Sequence, residues 1–95
     1  NTKSEQLMPE FTEIYKDIRL AINSRNKIYL EFKSINSGIT KRKIHPAELF
    51  TYLNNWYVAA FCELRNEIRL FKLNDIISYK ILDEKYEKEV NFKRW

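Results

Sequence analysis

The chain has 95 residues, of which 44% are hydrophobic and 32% are charged, and its formal net charge at pH 7 is +4. This length suits one small domain with its own core. No apolar run approaches the roughly 20 residues of a membrane-spanning helix, and a signal-peptide pattern is missing, so no membrane partner is expected. The single cysteine, Cys62, cannot form an internal disulfide, which favours a reducing cytoplasm.

Positive charge is concentrated in the middle of the sequence. Residues 27–72 carry eight basic and four acidic side chains and therefore the whole excess of +4, whereas residues 1–26 and 73–95 each sum to zero. A local excess of this kind predicts an anionic partner. A solvated basic face that only aids solubility is the alternative, and charge alone leaves both open.

The first predicted element is an amphipathic helix near residues 10–24. Residues 1–9 are polar and are expected to form a flexible segment, ending in Pro9, which suits the first turn of a helix. Packing of this helix on the rest of the domain is the main expectation, and carrying a partner domain is the alternative. The apolar residues with helical spacing are Phe11, Ile14, Tyr15, Ile18, Ala21 and Ile22.

Short strands follow the helix. The chain alternates between apolar and polar residues, and turn residues separate the segments. Pro46 cannot donate to a strand ladder, so it predicts a strand end or a bend. The strands expected before the centre of the chain run from Ile28 to Lys33, from Ile39 to His45 and from Leu49 to Leu53, with turns at 36–38 and 54–55.

A central hairpin at residues 56–73 is the most apolar part of the chain. Tyr57 and Phe61 have the opposite parity to the core side, so they supply aromatic faces or fill a second face under the helix. Residues 65–67 form a polar turn in which Asn66 tolerates positive φ. A last strand is expected from Ile76 to Leu82 after a break at 74–75. The core side of the first hairpin strand comprises Trp56, Val58, Ala60, Cys62 and Leu64.

These elements predict a mainly β fold with one N-terminal α-helix. About five short strands favour a small closed antiparallel barrel, since closure removes exposed edges. The domain is expected to span residues 10–82, with residues 83–95 as a C-terminal extension or linker. Because the chain begins with Asn1, we expect a piece of a longer protein or a processed one.

The sequence offers little for catalysis. His45 is the lone histidine and stands beside Pro46, and Cys62 has core parity, so neither has a partner placed by sequence. No metal-ligand spacing occurs, and a single glycine, Gly38, rules out a phosphate-binding glycine loop. A domain that is not an enzyme and needs no cofactor or metal is therefore expected.

The hairpin and its flanks resemble a known family. Trp56-Tyr57-Val58, then 60–62, Arg65, Arg69 and Phe71 are similar to the WYL domain of bacterial transcriptional regulators. Residues 44–49 resemble the family's proline-containing bend, and residues 71–76 its segment ending in Leu-Asp-Arg-Ile. The resemblance covers roughly residues 15–86. Val58 stands in place of the leucine that helps to name the family, and Asp75 and Lys72 stand where arginine is common.

The resemblance implies an Sm-like barrel preceded by a helix, and a domain that senses a ligand. Nucleic acid or a nucleotide is the leading ligand class, and many such domains follow a helix-turn-helix DNA-binding domain. The ligand-contacting positions of the family map onto Tyr57, Arg65 and Arg69, with Lys72 as a substituted position. The rival function is an interaction module that forms a homodimer, with an incidental basic face.

Two further basic residues complete the candidate ligand-binding set. Arg42 lies in the run Lys41-Arg42-Lys43, and His45 follows on the same predicted strand. Arginine pairs bidentately with phosphate, and aromatic faces stack on bases. Arg69 shares parity with Phe71, which looks like core, so it lies either at the barrel rim or beside a bulge that changes the parity.

Overall fold

The computed structural model describes residues 10–87. The predicted segments at 1–9 and 88–95 lie outside the described residues. The prediction of a mainly β fold with one N-terminal helix is confirmed. In chain order the elements are α1 (Phe11–Ser24), β1 (Asn26–Ser34), β2 (Gly38–Tyr52), β3 (Asn55–Cys62), β4 (Glu67–Lys72), a 3-10 turn (Leu73–Asp75) and β5 (Ile76–Lys85). Within this range no helix is long and apolar enough to cross a membrane.

All five strands form one antiparallel sheet in the order β4-β3-β2-β1-β5. Its edges, β4 and β5, are joined by the 3-10 turn. Phe32 of β1 and Phe71 of β4 meet edge to face with their ring centroids 4.9 Å apart, so the sheet is strongly curled. Over the described residues the sheet is not closed, and the predicted barrel is therefore not confirmed.

The predicted second and third strands are wrong as separate elements, because β2 is a single strand of 15 residues. Its register with β3 shifts between Pro46 and Glu48, which leaves Ala47 as a bulge. The extra residue brings both Pro46 and Leu49 to the buried side of the sheet. Pro46 thus marks a bend inside a strand and does not end it.

The face of the sheet that α1 covers is called the inner face, and the opposite face is called the outer face. Helix α1 buries one apolar stripe, and Asp17 beside it accepts a hydrogen bond of 2.7 Å from the hydroxyl of Tyr79 on β5. Each large aliphatic side chain buried here stabilises the fold by about 1.5–3 kcal/mol. The core includes Ile14, Ile18, Ala21, Ile28, Leu30, Ile44, Val58, Ala60, Cys62 and Phe71.

The turns of the two central hairpins explain two differences from expectation. Strand β3 ends at Cys62, so Leu64, expected in the core, lies in the turn and is 68% exposed. Asn66 in this turn has a φ of 58°, as its tolerance of positive φ predicted. The β2–β3 turn is centred on Leu53 and Asn54, with φ values of 51° and 66°, one residue earlier than expected.

The C-terminal strand is longer than the sequence indicated. Strand β5 continues to Lys85, past the predicted end at Leu82. Tyr86 follows it and is buried. Its hydroxyl donates to the carbonyl oxygen of Pro46, and its backbone N–H donates to the carbonyl oxygen of Arg25 at 3.1 Å. These contacts fasten the end of β5 against β2 and against the end of α1.

Candidate functional site

The sheet divides the predicted ligand-binding residues between its two faces. Strand pairing aligns Arg69 with Ala60 and Arg42 with Leu30, so both arginines share the inner face with core residues. Arg65 lies in the exposed β3–β4 turn. The remaining three candidates lie on the outer face: Tyr57, Lys72 and His45.

An aromatic pair and a cation lie side by side on the outer face. The ring of Tyr57 stacks on that of Phe50 with centroids 5.6 Å apart and planes 18° apart. Tyr57 pairs directly with Lys72 across β3 and β4. Because α1 covers the inner face, the alternative that Tyr57 and Phe61 pack under the helix is wrong. A ring half-buried beside an ammonium group suits base stacking with a phosphate contact.

His45 is held in place on the outer face by three neighbours. Its ring stacks on Tyr86 with a centroid distance of 5.0 Å and lies 5.3 Å from the ring centroid of Phe61. Its Nε2 is 2.8 Å from Oε2 of Glu63, and the tautomer decides which atom carries the proton. His45 therefore acts here as a bridge between β2, β3 and the end of β5.

Carboxylates engage the other cations near His45. Lys27 Nζ lies 2.9 Å from Oε2 of Glu63, and Lys43 Nζ lies 3.1 Å from Oε1 of Glu84. The hydrogen bond with His45 is the main cause that lowers the pKa of Glu63, and Lys27 adds to it. Likewise, the hydrogen bond with Glu84 raises the pKa of Lys43. This cluster is compensated, so it presents little unpaired positive charge.

Arg69 lies at the rim of the inner face. The β3–β4 register is unbroken, so no bulge changes its parity. Its side chain is 39% exposed, and Nη1 lies 2.8 Å from Oε2 of Glu67 on the same strand. An exposed pair of this kind is weak, and a ligand anion can compete for the guanidinium.

Arg42 is the exception among the cations, since it is only 5% exposed. Its Nη1 donates to Sγ of Cys62 at 3.3 Å, and its guanidinium carbon lies 5.4 Å from the ring centroid of Phe32. Its Nε is buried without a hydrogen-bond partner in residues 10–87, as is Oγ1 of Thr40. Cys62 is buried, as its parity predicted, and its sulfur is a weak acceptor.

Sequence reasoning missed several residues that define these sites. Glu84 and Tyr86 lie beyond the predicted last strand, and no pattern in the sequence linked them to β2. Thr40 and Phe32 could have been found, because Thr40 shares parity with Arg42 and Phe32 alternates into the same face. Glu63 was visible only as the polar end of a hairpin strand.

An N-terminal helix on one face of a curled five-stranded antiparallel sheet places the chain in a class of small helix-plus-sheet domains. A family profile described as the WYL domain matches residues 13–81, and the chain therefore belongs to the WYL domain family. This confirms the resemblance drawn from the sequence.

A solved structure with the same fold is the proteasome accessory factor B/C (PafBC) of Arthrobacter aurescens, with a TM-score of 0.73 and 22% sequence identity. The match covers 90% of this chain and 13% of that chain, so this chain corresponds to a small part of that protein. Among curated proteins no match was found.

Proposed function

We propose that this WYL domain is a non-enzymatic, ligand-sensing regulatory domain of a bacterial transcriptional regulator that works in the cytoplasm. Its ligand is single-stranded nucleic acid or a nucleotide. Ligand binding biases an attached helix-turn-helix DNA-binding domain. A ligand shifts such an equilibrium only by its differential affinity for the two states.

The observation that carries this proposal is the outer-face group of Phe50, Tyr57 and Lys72. Stacked rings at a sheet surface offer a platform for bases without demanding a particular sequence. Lys72 is the cross-strand neighbour of Tyr57 on the same face, so it is the cation that we expect to contact the backbone of a strand stacked on the ring. The ring pair already holds its geometry, with centroids 5.6 Å apart, which lowers the entropy cost of binding.

Two further cations lie toward the β3–β4 turn, Arg65 in the turn itself and Arg69 at the rim of the inner face. Arg65 is exposed, and Arg69 is paired only with the exposed Glu67. A single strand that runs along the outer face of β4 from Lys72 toward the turn would meet the guanidinium of Arg65, and it would reach Arg69 by crossing the β4 edge to the inner face. His45 fits a supporting position better than a direct contact, because Glu63 and two rings already engage it.

Salt-dependent binding of a fluorescently labelled oligothymidine of about ten nucleotides tests the proposal. The affinity should fall as salt rises, with a logarithmic slope of about −0.7 per phosphate contact. Lys72→Gln should weaken binding and reduce this slope by roughly one contact. Tyr57→Leu should weaken binding by about 1–3 kcal/mol and leave the slope unchanged, because stacking releases no counterions.

Lys16→Gln on the exposed side of α1 is the matched control for charge, and it should keep the affinity of the wild type. Equal losses in Lys72→Gln and Lys16→Gln would mean that only net charge matters. Absence of salt-dependent binding to the oligonucleotide and to nucleotides would contradict the proposal.

A homodimerisation module is the second candidate, and the open edge of β4 favours it. This edge carries Leu70, which is 43% exposed, and its outward backbone groups could pair with another strand. Sedimentation over a wide concentration range tests this function. Dimerisation that Leu70→Glu abolishes would support it, and a monomer at all concentrations would exclude it.

A further inference from the structure

Arg42 is buried and has no carboxylate partner within residues 10–87, which is unusual for an arginine in a small domain. Lys27 and Lys43, which are only partly withdrawn from solvent, each have an acidic partner. Arg42 is 5% exposed, and its partners are a thiol and an aromatic ring. Removing a guanidinium from water costs free energy that these weak partners offset only in part.

The position of Arg42 in the sheet gives an anion a way to reach it. Strand β3 pairs with β2 only as far as the Ile44–Cys62 pair, whereas β1 pairs with β2 as far as Gly38. A last backbone hydrogen bond joins Glu63 N–H to the carbonyl oxygen of Lys43. Beyond it, and within residues 10–87, the segment of β2 that carries Thr40 and Arg42 pairs with a strand on one side only.

A hydrogen-bond donor lies beside the guanidinium. Thr40 lies two residues before Arg42 on the same strand, so its side chain shares the inner face. Its Oγ1 is buried and, like Nε of Arg42, has no partner within residues 10–87. These two unsatisfied polar atoms on one face leave hydrogen-bonding capacity for a polar ligand.

We propose that Arg42 and Thr40 form a subsite for a phosphate group at this end of the inner face. The guanidinium offers a planar fork of donors, and the hydroxyl adds a neutral donor, which together match phosphate oxygens. The bound anion replaces the weak thiol contact with charge-assisted hydrogen bonds. This site lies on the opposite face from Tyr57 and Lys72, so it goes beyond the proposed function.

Glu67 is a described acidic residue on the same face as Arg42, yet it does not pair with it. Its backbone pairs with Cys62, so it lies on the inner face near Arg42. Its carboxylate nevertheless pairs with Arg69 at 2.8 Å. Since this acidic residue on the same face is engaged by Arg69, it leaves the charge of Arg42 uncompensated.

Thermal unfolding of the full chain in rising inorganic phosphate, at constant ionic strength set with chloride, tests the subsite. Ligand binding to the native state raises Tm in a saturable way. Arg42→Met keeps the volume of the side chain and removes the buried charge. We expect its Tm in chloride alone to equal or exceed that of the wild type, because no unpaired charge is buried. Its saturable response to phosphate should be lost.

Two further variants separate the subsite from general effects. Phosphate also stabilises proteins without binding to them, because it is excluded from their surface. Lys33→Met removes one exposed charge on β1 and keeps the subsite, so its Tm should respond to phosphate as that of the wild type does. Thr40→Val should fold normally and weaken the phosphate response by a smaller factor than Arg42→Met. The expected loss of affinity in Arg42→Met is roughly tenfold to a hundredfold.

The source of the phosphate is distinguished with thymidine 5′-monophosphate and thymidine. Stabilisation by the monophosphate and by inorganic phosphate, but not by thymidine, assigns the subsite to the phosphate group itself. A phosphate response equal in wild type and Arg42→Met would overturn the proposal. So would a Lys33→Met variant that loses the response as fully as Arg42→Met does, because the response would then follow net charge and not the subsite.

The outcome is independent of the oligonucleotide titration. If Arg42→Met loses the phosphate response while no oligonucleotide binds, the subsite stands and the proposed function fails. If oligonucleotide binding depends on Lys72 while phosphate acts equally on both Arg42 forms, the proposed function stands and the subsite fails.

Discussion

Two groups of cations in the sheet differ in how their charge is compensated. On the outer face, Lys27, Lys43 and His45 are partly exposed and are engaged by Glu63 and Glu84. On the inner face, Arg42 is buried and has a sulfur atom and a ring as neighbours. The difference shows that formal charge does not measure the positive charge available to a ligand. Burial and compensation decide that quantity.

This comparison changes the meaning of the charge excess in residues 27–72. The excess is real as a count, but Glu84 comes from the segment 73–95 and pairs with both Lys43 and Lys27. The sheet brings β5 beside β1, so a carboxylate distant in sequence neutralises lysines of the basic segment. Within residues 10–87, no carboxylate forms a salt bridge with the remaining cations of this segment, which are Lys33, Lys41, Arg42, Arg65 and Lys72.

The largest expected effect is the loss of stability caused by an alanine substitution on the inner face, compared with the same substitution on the outer face. Ile44 and Ile39 lie on the same strand, the first fully buried on the inner face and the second 60% exposed. Ile44→Ala should lower the free energy of unfolding by about 2–5 kcal/mol, because it removes buried methyl groups and leaves a cavity. Ile39→Ala should change it by no more than about 0.5 kcal/mol.

Urea denaturation measures the stability of both variants. The dependence of the unfolding free energy on urea concentration should be the same as in the wild type, so that a shift of the midpoint reports a change in stability. Similar losses in the two variants would contradict the assignment of the faces. A large loss for Ile39→Ala alone would mean that the register of β2 is shifted by one residue, since such a slip exchanges the faces.

Much of the fold could be predicted from the sequence, and each failed prediction has a specific physical reason. Helical spacing located α1, and the aromatic run located the central hairpin, because both signals are local. The bulge at Ala47 has no local signal beyond Pro46, so one long strand was divided into two. Sheet closure depends on how the edge strands meet, which no local pattern specifies.

The candidate site was less predictable than the fold. The predicted residues were chosen by residue type, parity and family resemblance, whereas their availability depends on contacts between distant segments. His45 contacts Tyr86, and Lys43 contacts Glu84, each about 41 positions away along the chain. Arg42 shares parity with Ile44, but parity could not show that the arginine lacks a carboxylate within residues 10–87.

A smaller loss of stability is expected when the hydrogen bond between Tyr79 and Asp17 on the inner face is removed. Tyr79 donates its hydroxyl to the carboxylate of Asp17 at 2.7 Å, and burial, together with this carboxylate, raises the pKa of Tyr79. Tyr79→Phe should destabilise the fold by about 1–2 kcal/mol, because a hydrogen bond to a charged acceptor joins α1 to β5. Chemical denaturation at neutral pH measures the change.

Tyr29→Phe is the matched control, since Tyr29 lies on the neighbouring strand and is 42% exposed. It should leave stability nearly unchanged. If Tyr79→Phe behaves like Tyr29→Phe, then Asp17 is satisfied equally well by water. In that case the contrast with Arg42 would reflect only the depth of burial.

The smallest expected effect is the loss of stability when Glu63 no longer pairs with His45 and Lys27 on the outer face. The pH dependence of stability distinguishes this contribution from the others. The hydrogen bond with His45, and then Lys27, hold the pKa of Glu63 below its ordinary value. A carboxyl group whose pKa is lowered by folding stabilises the native state above the unfolded pKa, about 4.3 for Glu. That contribution is lost as the pH falls through the lower pKa of the folded state.

Glu63→Gln should therefore cost less than about 1 kcal/mol at neutral pH, because the side chain is 35% exposed and water screens the pair. The difference between variant and wild type should shrink as the pH falls below the ordinary pKa of Glu, where the wild type becomes protonated as well. Glu48→Gln, at an exposed position on the outer face of β2, should show no such dependence.

Urea midpoints measured across this pH range test the prediction. A cost of Glu63→Gln that stays constant, or grows, on acidification would show that hydrogen-bond shape rather than charge holds the cluster together. The outer-face lysines would then be less compensated than their distances imply, and more of their charge would be open to an anionic ligand.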